Sequence, residues 1–217
     1  MSQLLQGSGS GGSLNALDPR SLGQCFLWLN TEEFSGTSTG TVITSWTDRS
    51  SGLHNALATT ALSGPVLEII SGSFNGKKVL NWPSTQCSLI TTSFDSSFGT
   101  MFAVIGNVQN GANVATVMTV SSGTRRCLSI FNTNTGIYAG DGNEIWNTSQ
   151  LEFANSTLST ALPSSNHVVV CIQAANGDTV RALSAVTLTI GRAVANDYFI
   201  GNIAEVICYE NVLTSAN

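Results

Sequence analysis

The stretch Asp197-Tyr198-Phe199-Ile200-Gly201-Asn202-Ile203-Ala204-Glu205-Val206-Ile207-Cys208-Tyr209 reads as a turn leading into a long, mostly apolar β-strand with one carboxylate inside it. A carboxylate in such a strand costs several kcal/mol unless it is hydrogen-bonded or paired. Glu205 therefore demands a specific partner, and a specific partner demands a specific fold.

The remainder of the chain reads as all-β. Runs rich in Val, Ile, Thr and aromatics recur between Gly, Asn, Asp and Ser clusters. They predict strands at 25–29, 42–47, 77–82, 88–92, 100–108, 114–121, 126–132, 167–174, 179–184, 186–190 and 199–209. Val168, Val170 and Ile172 alternate onto one face, and Asn176-Gly177-Asp178 predicts a hairpin turn between two of these strands. No segment keeps a helical period. A two-sheet antiparallel sandwich follows.

A chain of 217 residues suits one such domain, and 42% apolar residues suffice for its core. Charged residues are 10%, against roughly 25% in ordinary soluble domains. So little charge means either a Ser/Thr/Asn-coated surface or one covered by partners in a permanent assembly. The net charge is −5, and the adjacent basic pairs are Lys77-Lys78 and Arg125-Arg126. Nucleic-acid binding, which needs a clustered cationic footprint, is excluded as an expectation.

The cysteines Cys25, Cys87, Cys127, Cys171 and Cys208 are odd in number and lack a Cys-x-x-Cys pair. Most lie in apolar strand-like runs, so small buried hydrophobes in a reducing compartment are expected. The start Met1-Ser2-Gln3-Leu4-Leu5 shows no secretory signal, and no apolar run approaches the ~20 residues that span a membrane. Neither sequon, at Asn147 or Asn155, is then expected to be used. Residues 7–13 are Gly and Ser throughout, a flexible linker by composition. An arm of 1–23 is expected before a domain of 24–217, with Leu4, Leu5, Leu14 and Leu17 available to dock on a partner.

Further segments stand in register with the closing strand. They are Phe26-Leu27-Trp28-Leu29, then Trp46-Thr47-Asp48-Arg49-Ser50-Ser51-Gly52 with His54-Asn55-Ala56, and Phe74-Asn75-Gly76-Lys77-Lys78-Val79-Leu80-Asn81-Trp82. In this order and spacing the set resembles the laminin-G-like branch of the concanavalin A-like lectin/glucanase superfamily, over residues 24–215. The resemblance implies a concanavalin A-like jelly roll, with Glu205 as a structural carboxylate and Trp28, Trp46 and Trp82 in the core. Asn30 stands where the family often has Asp. Relatives often continue past the closing strand, so the resemblance also implies a shortened version or a piece of a longer chain.

Catalysis is not expected. Glucanases of the superfamily cluster carboxylates on one strand, and glycoside hydrolysis needs two of them across the scissile bond. Here Glu32 and Glu33 are adjacent and would point to opposite faces, and Glu205 stands alone. His54 and His167 belong to no nucleophile motif. No cofactor is expected, although Asp141-Gly142-Asn143-Glu144 could be either an Asp-Gly turn or a weak calcium site. Tyr138, Asp141, Asn143 and Trp146 interleave aromatic and polar groups, the combination that holds a sugar. Alternatively, Trp146 plugs one end of the fold.

Two functions remain open. Laminin-G-like domains occur in phage and large-virus structural proteins. The resemblance therefore permits a virion component (capsid decoration, cement, fibre or tail), homo-oligomeric, assembled in the host cytoplasm and touching surface glycans. A free carbohydrate-binding module or lectin is the other.

Overall fold

The computed structural model describes residues 18–22, 24–60, 64–70, 74, 76–83, 87–109, 114–120, 125–131, 136–138, 150–154, 157–158, 167–174, 182–192 and 198–213. Strand dominates them, and no helix reaches seven residues. The strands are β1 (Cys25–Asn30), β2 (Ser45–Trp46), β3 (Ala56–Ala58), β4 (Val66–Ile69), β5 (Lys78–Trp82), β6 (Leu89–Thr91), β7 (Phe94–Ser97) and β8 (Thr100–Gly106). There follow β9 (Val114–Val120), β10 (Arg125–Phe131), β11 (Gly136–Tyr138), β12 (Gln150–Ala154), β13 (Thr157–Leu158), β14 (His167–Ala174), β15 (Ala182–Val186), β16 (Leu188–Ile190) and β17 (Gly201–Tyr209).

They make two large antiparallel sheets and one small one. The first runs β13-β12-β14-β8-β17-β5-β4, with β1 also on β17. The second runs β11-β10-β9-β16-β6-β3-β2, and β15 pairs with β7 apart from both. One buried cluster draws on both large sheets: Leu29, Leu80, Ile105, Ile203 and Val206 of the first meet Trp46, Ala56, Leu89, Val117 and Ile190 of the second. That is the apolar burial which holds an all-β chain together, at about 25 cal/mol per Å² removed from water.

The closing strand β17 organises the first sheet. One edge pairs with β8 along its length. The other is shared: Gly201–Ile203 pairs with β5, and Glu205–Tyr209 pairs with β1. The register against β8 shifts between Ile203 and Glu205, a bulge where the neighbour changes. Around it, Ile203, Val206 and Cys208 lie in the core, whereas Glu205 and Ile207 are half-buried.

Most expected strands exist, with shorter ends. The turn expected at Asn176-Gly177-Asp178 lies outside the described residues, but the strands on either side of it, β14 and β15, do not pair with each other. Strand β14 has both edges occupied, by β8 and β12, while β15 pairs with β7 in another sheet. A turn dipeptide signals a reversal of the chain, but which edges are vacant decides what the next strand pairs with. Strands β3, β4, β7, β12 and β13 were not expected, being two to five residues long and too short to show an alternation. Tyr138 ends strand β11, opposite Ser129 of β10.

Candidate functional site

Two carboxylates govern the region where β1, β17 and the loop after β2 meet. Glu205 sits at the bulge of β17, opposite Asn30 at the end of β1. Its Oε1 accepts hydrogen bonds from Trp28 Nε1 at 2.8 Å and Asn30 Nδ2 at 2.7 Å. Both donors come from β1 because alternate residues of a strand face the same way. Asn30 has a second duty: its Oδ1 accepts from Glu32 N at 2.7 Å and caps the short 3-10 turn Thr31–Phe34. An aspartate at position 30 could make that cap but could not donate to Glu205.

Trp28 is buried, and its ring carries two guanidinium groups, Arg49 at 4.5 Å and Arg20 at 5.7 Å from the centroid. Each contact is a cation–π attraction worth about 0.5–1 kcal/mol at an exposed site. Arg20 belongs to the short turn Pro19–Leu22, which rests on β1, and Tyr209 Oη donates to Pro19 O at 3.1 Å. Around these contacts Cys25, Trp28, Tyr209 and Leu213 form a second buried cluster, on which Leu22, Phe102 and Ile207 pack partly buried. At the entrance, hydrogen bonds from Arg20 hold the Asp18 carboxyl down to about 2.

The second carboxylate is Asp48, 2% exposed. Oδ1 accepts from Trp28 N and Ser50 N, both at 2.9 Å. Oδ2 accepts from Ser50 Oγ at 2.8 Å and His54 N at 2.7 Å. Asp48 N in turn donates to Asn55 Oδ1 at 2.9 Å. The Trp-x-Asp-x-Ser-to-His-Asn spacing is the linear trace of this one carboxylate gathering its own loop onto β1. The motif is legible in the sequence, whereas the task of Asp48 within it is not. His54 is part of the same loop and stacks on Phe94 with ring centroids 4.6 Å apart.

Among the described residues the arrangement tethers strands and offers no acid–nucleophile pair. Glu205 Oε1 and both oxygens of Asp48 accept from structural donors. Cys25, Cys87, Cys171 and Cys208 are buried and form no disulfide, and burial pushes Cys25 and Cys171 up to about 12, far from the thiolate form. No group of three His, Cys, Asp or Glu that could hold a metal occurs among the described residues, nor does a helix long and apolar enough to cross a membrane.

Trp46 and Trp82 are fully buried, and Trp28 nearly so. Asp141, Asn143 and Trp146 lie outside the described residues, as do Leu4, Leu5, Leu14 and Leu17; of Tyr138 only the backbone is described. Comparison with protein-family models, curated proteins and solved structures finds no significant match.

Replacing Glu205 by alanine leaves Trp28 Nε1 and Asn30 Nδ2 without their acceptor and is expected to cost about 1–3 kcal/mol. Glu205→Gln keeps one acceptor oxygen and should cost less. Urea unfolding of both variants tests this, and an alanine variant as stable as the parent would rule out a structural role for the carboxylate.

Proposed function

We propose that this protein is a non-enzymatic structural component of a virion, a capsid decoration, cement, fibre or tail subunit. It is built as a concanavalin A-like, laminin-G-like jelly-roll sandwich that attaches to surface glycans, and an N-terminal arm docks on neighbouring copies or other assembly subunits. One observation carries the docking part. The root of the arm is pinned to the domain at Asp18–Leu22, through Tyr209 Oη to Pro19 O and Arg20 over Trp28. An arm with a fixed root transmits force and register to the body of the subunit.

The energetics favour order within an assembly. Ordering backbone costs about 1–2 kcal/mol per residue. Burying Leu4, Leu5, Leu14 and Leu17 returns about 1.5–3 kcal/mol each. Over residues 1–17 the ordering cost exceeds that return, so the arm orders only where a partner adds backbone hydrogen bonds and further buried surface. The glycines allow close approach to a partner surface. Sparse charge, at 10% of residues, is consistent with a surface largely covered by partners.

Deleting residues 1–17 is expected to leave a folded domain that no longer enters particles. Co-expression with the assembly and sedimentation of the particles reads this out. Normal incorporation of the truncated chain would refute the anchoring role. The free carbohydrate-binding module would then be the better reading.

A further inference from the structure

Away from the Glu205 centre, the same sheet carries a second polar assembly. Asn81 of β5 lies directly opposite Asn202 of β17, while their neighbours Leu80 and Ile203, also opposite one another, are in the core. The pair therefore faces away from the core. Glu68 on β4 accepts from Asn81 Nδ2 at 2.7 Å, and Asn107, just past β8, donates through Nδ2 to Asn202 Oδ1 at 2.7 Å. Asn107 takes a left-handed backbone, φ 48°, a region Asn enters more readily than most residues. Gln109 N donates to Ile200 O at 2.8 Å and closes the rim.

These five polar residues line an open cleft of about 500 Å³. Its volume falls within the range of small-molecule sites, about 300–1,000 Å³. Pro83, Val108 and Ile200 supply its apolar wall. Asn202 is 2% exposed, and its amide nitrogen lacks a hydrogen-bond partner. A buried donor without an acceptor is a cost that the fold carries unless something else satisfies it.

We propose that this cleft binds a neutral, hydroxyl-rich ligand, namely an oligosaccharide segment. Four carboxamides present donors and acceptors together, which matches hydroxyl groups that also do both. The apolar wall suits the C–H face of a sugar ring. No cation lines the cleft, and the carboxylate of Glu68 disfavours phosphate, sulfate or carboxylate ligands. The proposal rests on the glycan-contact part of the function proposed above, but places that contact in this cleft rather than at Tyr138–Trp146.

The full chain, labelled with ¹⁵N, would be titrated with maltotriose, cellotriose, diacetylchitobiose and, as the anionic comparator, sialyllactose. The side-chain amide signals of Asn81, Asn107, Gln109 and Asn202 are the readout. At least one neutral sugar should shift them saturably, and sialyllactose should bind about tenfold more weakly or not at all. Gln109 is exposed, so Gln109→Ala should fold normally and lower affinity about tenfold; Asn81→Ala should do the same. Glu68→Gln should narrow the gap between neutral and anionic sugars.

The proposal is overturned if no neutral sugar moves these signals, if both alanine variants bind like the parent, or if sialyllactose binds as tightly as the neutral probes. Sugar binding by a chain that fails to enter particles would separate this site from the assembly role.

Discussion

Asp48→Ala is expected to destabilise the protein by about 3–5 kcal/mol. The carboxylate accepts four hydrogen bonds, three of them from backbone N–H groups of Trp28, Ser50 and His54. Each buried donor left without an acceptor costs about 1–3 kcal/mol, and water reaching the loosened loop recovers part of the total. Asp48→Asn keeps the shape but only one acceptor oxygen, so about half the loss is expected. Denaturant midpoints with unchanged slopes would give both values. An alanine variant within about 1 kcal/mol of the parent would show that the loop holds itself without this group.

Gly191→Ala is expected to cost about 2–5 kcal/mol, from two separable causes. The residue has φ +86°, where an L side chain pays about 1–2 kcal/mol. A Cβ there would also collide with Nε1 and Cδ1 of Trp82, which is fully buried and packs edge-on against Phe199. Overpacking of that kind costs about 1–3 kcal/mol. The indole must shift, so tryptophan fluorescence of the native state should change along with the unfolding midpoint. A variant that loses stability without a spectral change would assign the cost to backbone strain alone, and one that loses neither would remove both causes.

The all-β class and the identity of the longest strands were legible in the sequence because they rest on local alternation and on turn residues. Strands β8, β14 and β17 are seven to nine residues long, enough for a period of two to be read in their sequences. Strands such as β3 and β13, of three and two residues, carry no period of their own and exist through their neighbours. The Asn-Gly-Asp signal could not show which strands pair, because β8 and β12 occupy both edges of β14.

For the polar centres, the demand and its answer divide in the same way. A lone carboxylate in an apolar strand announces that Glu205 needs partners; Trp28 and Asn30, more than 170 positions away, become those partners only when β1 pairs with β17. Asp48 was visible as a motif because its donors at Ser50 and His54 are near neighbours in the chain, whereas its bond to Trp28 N was not. The cleft had no linear trace at all. Glu68, Asn81, Asn107 and Asn202 are ordinary strand and turn residues when read one by one, and they converge because antiparallel register sets Asn81 opposite Asn202. Residue order alone dictates which groups cannot be left unsatisfied, since desolvation is a property of each residue and its immediate neighbours. The tertiary structure decided who satisfies them, since hydrogen bonds reach about 3 Å and only strand pairing brings distant residues that close.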